Sequence, residues 1–452
     1  VTARRAPSRR GLLLGLTAAS VGVIYGYDLS IIAGAQLFVT EDFGLTTRQQ
    51  ELLTTMVVIG QIFGALGAGV LANAIGRKKS VALILVAYAA FALLGAFAVS
   101  LPMLLAARFL LGLTIGVTVV VVPVYVAESA PAAVRGSLLT AYQLAIVSGL
   151  VVGYLTGYAL AGAHAWRWML GLAALPAMLL LPLLIRMPDT ARWYVLKGRA
   201  EEARAALLRA EPTANADEEL AEIAGALSEG SGGFSEMLRR PYLRATLFVV
   251  TLGFLIQITG INAIIYYSPR IFEAMGFTGN FALLALPALV QIAGLAAVGT
   301  SLLLVDRVGR RPILLCGIAM MIAADLVLMA VFAQGRLGGA GLVFGFAGVV
   351  LFIFGYTAGF GSLGWVYASE SFPSRLRSIG SSTMLTSNLV ANAIIAAVFL
   401  TLLHSLGGAG TFAVFVALTL VAFVFVYRYA PETKGRQLED IRHFWENGGR
   451  WD

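Results

Sequence analysis

Apolar runs of about 20 residues recur along almost the whole chain, and each is long enough to cross a hydrocarbon core of about 30 Å as a helix. Inside lipid the backbone finds no water, so a continuous apolar run satisfies its own N–H and C=O groups by becoming helical. Twelve runs are read, at 11–38, 50–73, 80–99, 102–127, 136–161, 166–186, 243–272, 282–305, 312–333, 340–368, 377–404 and 409–428. Composition agrees: of 452 residues 59% are hydrophobic and 12% charged, and the mean hydropathy of +0.85 lies far outside the soluble range. The expected fold class is an all-α membrane protein with twelve transmembrane helices.

An even number of crossings puts both termini on one side, and the 32 Lys and Arg residues say which. Short cytoplasmic segments collect basic residues, whereas external loops do not. With the N-terminus inside, Arg48, Arg167, Arg270 and Arg336 are the only external ones, and Arg108 lies within a span. Both termini are therefore expected to be cytoplasmic, in a multi-pass protein of the cell membrane. The net charge of +8 follows from this asymmetry and from contact with anionic headgroups; it implies the lipid bilayer as partner and no nucleic acid. The basic opening VTARRAPSRR is too short and polar for a cleaved signal, and the lone Cys316 reads as a small packed residue.

The one long polar stretch runs from about Met187 to Leu243 and contains EEARAALLRAEP and DEELAEIAGAL, whose apolar residues recur at three- and four-residue spacing. The expected organisation is an N-terminal six-helix bundle (1–186), a linker with short amphipathic cytoplasmic helices (187–242), a C-terminal six-helix bundle (243–428) and a cytoplasmic tail (429–452). The halves repeat each other. GVLANAIGRKK (69–79) after the second span is matched by LLLVDRVGRRP (302–312) after the eighth. The fourth and tenth spans both end in Glu-x-x-Pro-x-x-x-Arg, as ESAPAAVR (128–135) and ESFPSRLR (370–377), and PDTAR (188–192) pairs with PETKG (431–435). Three paired signatures in one order indicate duplicated bundles that rock about a midplane site to give alternating access.

These motifs, with RFLLGLTIG (108–116) and ITGINAIIYYSP (258–269), resemble the sugar porter family of the major facilitator superfamily. The resemblance implies the major facilitator fold in a monomer that uses no cofactor and no metal, with a proton as coupling ion. It further implies that Arg77, Glu128, Arg135, Asp306, Arg310, Glu370 and Arg377 form a cytoplasmic gating network. Ion pairs suit a switch because they bias a two-state equilibrium by their energy difference between the states. The first loop departs from the pattern: Asn73 and Ala74 stand where the family has an acid and a base, so the N-terminal latch is expected to be the weaker.

Polar side chains within spans need partners or water. Asp28 is the only charge between Gly11 and Phe38, and Arg108 is the one basic residue inside a span, at a compatible depth. By resemblance the two sit close together and carry proton coupling, since members that work without protons often have asparagine at this position. Amides offer both donors and acceptors to hydroxyls, and an aromatic face can stack on a sugar ring. By the same resemblance Gln143, Gln257, Asn262, Trp365, Asn388 and Asn392 contact substrate, with Tyr25 and Tyr266 nearby. Gln257 and Asn262 are read as one helical turn apart and facing one cavity. Ile256, Gly294 and Leu389 replace polar or aromatic residues of the family, and Gln291 stands about one turn from Gly294. Asp325 is a second intramembrane acid for which the family offers no role.

The expected function is proton-coupled symport of a monosaccharide or related polyol; the rivals are a proton-independent facilitator and a sugar receptor. A receptor needs a long tail, and only about 24 residues follow the last span. An enzyme is not expected, since three His and one Cys form no catalytic or metal spacing.

Overall fold

The computed structural model describes residues 9–130, 134–210, 215–228, 234–335, 339–436 and 438–447; the side chains of Arg135 and Asp306 lie outside the described set. Among the described residues there are no strands, and eleven helices are long and apolar enough to cross a membrane. The last of these, Leu376–Tyr429, has 54 residues, and at about 1.5 Å per residue it is more than twice as long as a hydrocarbon core is thick. Its backbone leaves the helical region at Gly407, where φ is 68°. It is two spans, divided where the sequence places the gap between 404 and 409, and the count is twelve. The other spans are Leu12–Phe43, Thr47–Ile75, Arg77–Ala96, Leu101–Ser129, Ser137–Ala161, Trp166–Ile185, Leu243–Met275, Phe281–Val305, Arg310–Ala333 and Gly339–Glu370. Several helices outrun their apolar runs, because polar residues continue a helix wherever its ends are solvated.

By their contacts the described residues fall into two units. The first holds residues up to Ala35, Met56–Thr156 and Ala163–Gly230; the second holds Gln36–Thr55, Gly157–Gly162 and the rest of the chain from Ser231. In the first unit small residues let backbones touch. A side chain on Gly26 would collide with the Ile146 carbonyl, and one on Gly149 with the Val23 carbonyl, which locks the first span to the fifth. Gly60 and Gly112 do the same for the second and fourth spans, against the Phe109 and Val57 carbonyls. Three short helices of the central stretch, Ala191–Leu196, Ala200–Ala210 and Ala216–Ser228, belong to this unit.

Two spans of the second unit are interrupted. The seventh is Leu243–Ile258 followed by Ile261–Met275, separated at Gly260 with φ of 102°, and the later piece bends again at Tyr267. The tenth is Gly339–Tyr356, a π-helical turn at Thr357–Gly361, then Ser362–Glu370. Such interruptions in membrane helices free backbone groups where neighbours or a cavity can use them. A short tail helix, Leu438–Glu446, packs Trp445 on Phe248 of the seventh span with ring centres 4.9 Å apart.

Candidate functional site

The close contact of the first and fifth spans fixes the face of the first span that carries Asp28. Arg108 reaches it from the fourth span, with Nη1 donating to Asp28 Oδ1 at 2.8 Å, and both side chains are only 2% exposed. The pair touches at a single point. Asp28 Oδ2 and Arg108 Nε have no hydrogen-bond partner, so the bidentate fork that would make a strong static bridge is absent. Tyrosines line the pair: Tyr25 and Tyr88 lie within electrostatic reach of Asp28, and Tyr27 OH donates to the Met169 carbonyl at 2.9 Å. The hydroxyl of Tyr142 is buried without a partner, while its neighbour Gln143 is exposed on the fifth span.

In the second unit the amides form two hydrogen-bonded groups. Gln257 Nε2 donates to Asn388 Oδ1 at 3.1 Å, and Asn388 Nδ2 to the Gly253 carbonyl at 3.3 Å. Asn392 Nδ2 donates to Tyr266 OH at 3.2 Å. The carbonyl oxygens Gln257 Oε1 and Asn392 Oδ1 are buried and unpartnered, which leaves two acceptors for donors from outside the protein. Asn262 is buried nearby in sequence, but the helix stops between it and Gln257 at Gly260, so the one-turn relation read from their spacing does not hold. Trp365 is 39% exposed on the last helix of the tenth span. Gln291 Oε1 lies 3.9 Å from where a Cβ on Gly294 would be, beside the place left by the missing side chain. Asp325 is fully buried, with Thr419 Oγ1 donating to its Oδ2 at 3.2 Å and its Oδ1 unpartnered.

The paired motifs build the same clamp in each unit. In the first, Gly76 turns with φ of 99°, and the following Arg77 N–H donates to Asp189 Oδ1 at 3.0 Å. Arg77 Nε lies 3.0 Å from Glu128 Oε2, and Thr190 Oγ1 donates to that same oxygen at 2.7 Å. Asn73 Oδ1 accepts from Arg77 Nη1 at 3.1 Å, so the neutral residue in the altered loop still engages the arginine. Tyr125 OH donates to the Pro188 carbonyl at 2.7 Å. In the second unit Gly309 turns with φ of 114°, Glu432 accepts from the N–H groups of Arg310 and Arg311 at 3.1 Å each, and Tyr367 OH donates to the Pro431 carbonyl at 2.9 Å. Glu370 Oε2 and Arg377 Nε are buried without hydrogen-bond partners among the described residues.

Residues 14–445 match the family model described as "Sugar (and other) transporter". The chain belongs to this family. The sugar transporter family makes it a transporter and not an enzyme, and two bacterial relatives extend the match over nearly the full length. The galactose-proton symporter of Escherichia coli K12 is 36% identical over 426 residues, covering 94% of this chain and 92% of that protein. The arabinose-proton symporter of the same strain is 36% identical over 438 residues, covering 96% and 93%. Among solved structures, the inward open xylose transporter XylE from E. coli superposes with a TM-score of 0.83 at 22% identity, covering 96% of this chain and all of that one. This likeness supports the major facilitator fold of two six-helix bundles.

Sequence reasoning singled out PDTAR and PETKG as a repeat but gave them no task. They supply Asp189 and Glu432, the acceptors that satisfy the first N–H groups of the third and ninth spans, and a carboxylate at the positive end of a helix is stabilised there. The signal was available: two Gly-Arg turns without Ser, Thr or Asp at the cap need an acceptor from elsewhere. Gln61, with both amide atoms buried and unpartnered, was also missed.

Proposed function

We propose that this chain is a proton-coupled symporter that brings a monosaccharide or related polyol into the cell by alternating access, with Asp28 as the proton-carrying group and Arg108 as its counter-charge. The observation that carries the reading is the buried single-point pair, whose second carboxylate oxygen is open. Burial and one guanidinium contact act in opposite senses on a carboxyl proton, so a small movement of Arg108 changes its occupancy. Sugar hydroxyls are taken by Gln257, Asn262, Asn388, Asn392 and Tyr266 of the second unit, with Trp365 as stacking face. The two unpartnered amide oxygens support this assignment. The printed names of the bacterial relatives support a sugar and a proton as the transported pair. The basic-residue asymmetry supports a cell-membrane protein with both termini and both Gly-Arg clamps on the cytoplasmic side. The working unit is a monomer.

The test is uptake of labelled galactose and arabinose into proteoliposomes. One charge moving through 100 mV is worth about 2.3 kcal/mol, so the parent protein should concentrate its sugar about 50-fold from potential alone. Asp28→Asn keeps the acceptor that faces Arg108 Nη1 but has no proton to release. It should exchange labelled for unlabelled sugar and never accumulate it. Uphill accumulation by this variant would remove Asp28 from proton coupling, and a parent protein that only equilibrates its sugar would be a facilitator.

A further inference from the structure

The second span begins at Thr47, and one turn later it carries Glu51, a carboxylate with no exposed surface. A buried carboxylate is costly unless donors surround it. Glu51 Oε1 accepts from the Thr401 N–H at 2.7 Å, and Oε2 from Thr401 Oγ1 at 2.9 Å and from Arg48 Nη1 at 3.3 Å. Arg48 Nη1 also donates to the Ala397 carbonyl at 2.8 Å, although the arginine side chain is 76% exposed. Ala397 and Thr401 stand four apart on the eleventh span. Their C=O and N–H are the two groups that face each other in a regular helical ladder, and each has a side-chain partner from the Arg48–Glu51 pair.

Further contacts lie along the same seam. Tyr267 OH donates to the Ala396 carbonyl at 2.8 Å, Thr47 Oγ1 is 3.3 Å from His404 Nδ1, and Arg270, itself paired with Glu273, donates to Gln50 Oε1 at 3.4 Å. A cavity of about 440 Å³ lined by Gln50, Arg270, Glu273 and His404 flanks it. All these residues belong to the second unit, yet Thr47–Thr55 is the start of a helix whose continuation from Met56 belongs to the first.

We propose that Glu51, with Arg48, is the clasp that holds the outer end of the second span to the eleventh, and that an outer entrance opens only when it releases. Glu51 is thus a positioning residue of the transport cycle. The proposal rests on the alternating-access reading. Its test uses neither sugar nor a proton gradient, so it can fail independently of the uptake experiment.

In right-side-out vesicles carrying Cys316→Ser, Thr54→Cys reports from beneath the clasp, since Thr54 is 1% exposed, and Ala324→Cys in the ninth span, fully buried, reports general loosening. Adding Glu51→Gln places an amide N–H₂ or a single acceptor where two acceptors are used. Modification of Thr54→Cys by a membrane-impermeant maleimide should quicken at least about tenfold, while Ala324→Cys is unchanged. Thr401→Val removes only the hydroxyl donor and should quicken modification less, with little further effect on top of Glu51→Gln. Unchanged modification of Thr54→Cys in both variants overturns the clasp. Quickening at both reporters alike also overturns it, since Glu51 would then hold the fold and not an entrance.

Discussion

Alanine at Gly309 tests whether the clamp on Glu432 is a fitted contact. The turn has φ of 114° and ψ of 163°, a region closed to most L residues, and holding a side chain there costs about 1–3 kcal/mol. The new Cβ would stand 2.6 Å from Glu432 Oε2 and 3.0 Å from its Cδ. The carboxylate must withdraw, and it then gives up at least one of the two N–H groups that it accepts at 3.1 Å. A hydrogen bond to a charged group contributes about 1.5–3 kcal/mol, so the local opening free energy at the turn should fall by about 2.5–6 kcal/mol. Hydrogen–deuterium exchange read by mass spectrometry on peptides spanning this turn measures that quantity directly. The amides of Arg310 and Arg311 should exchange at least about 60-fold faster, at about 1.4 kcal/mol per decade. Glu432→Gln keeps one acceptor oxygen and should show a smaller effect. Gly76→Ala should show a larger one, because its Cβ would overlap the carboxylate of Asp189, a buried residue. Exchange in Gly309→Ala within about threefold of the parent protein would refute the fitted clamp.

Two other substitutions separate the sugar site from its packing. Gln257→Ala removes the donor to Asn388 and one of the two unpartnered acceptors, and it should weaken sugar binding more than tenfold, about 1.4 kcal/mol, by calorimetry. Ile256→Gln restores an amide common in the family, but Ile256 is 2% exposed and its Cδ1 fills the space 2.5 Å from where Gly364 would carry a Cβ. The polar group would be buried against Gly364 and Met384, so it should lower the melting temperature, by the equivalent of about 1–3 kcal/mol, and should not improve glucose affinity.

The number of spans and the repeat were legible because each follows from a constraint that acts on sequence directly; for Asp28 and Arg108 the sequence showed matching depth, and the family resemblance implied their contact. Lipid demands long apolar runs, duplication preserves motif order, and an intramembrane acid needs a base at matching depth. The relation of Gln257 to Asn262 was misread for a physical reason: helical periodicity assumes a continuous helix, and nothing local marks Thr259-Gly260 as a stop rather than a packing glycine. The long-range partners of Gly-Arg turns were not legible either. Asp189 is 112 positions from Arg77, and only the fold brings the acceptor to the amide. Glu51 hid in plain view at a span boundary, where acids are ordinary; burial, and not sequence, sets it apart.

Unpartnered buried polar atoms cost about 1–3 kcal/mol each, so a membrane protein keeps them where water, a proton or a ligand completes them, or where nothing selects against the cost. Asp28 Oδ2, Gln257 Oε1 and Asn392 Oδ1 fit the first class, since they fall on residues proposed to move a proton or hold a sugar. Gln61 belongs to the second. Its backbone carbonyl lies against Gly116, two helical turns along the fourth span from Arg108, and neither atom of its amide has a partner. Leucine matches the amide in volume and needs no hydrogen bond. Gln61→Leu should therefore raise the melting temperature, by the equivalent of about 1–3 kcal/mol, and leave uphill sugar accumulation intact. A variant that is more stable but no longer accumulates sugar would move Gln61 into the first class, as a hydrated step on the path of the proton.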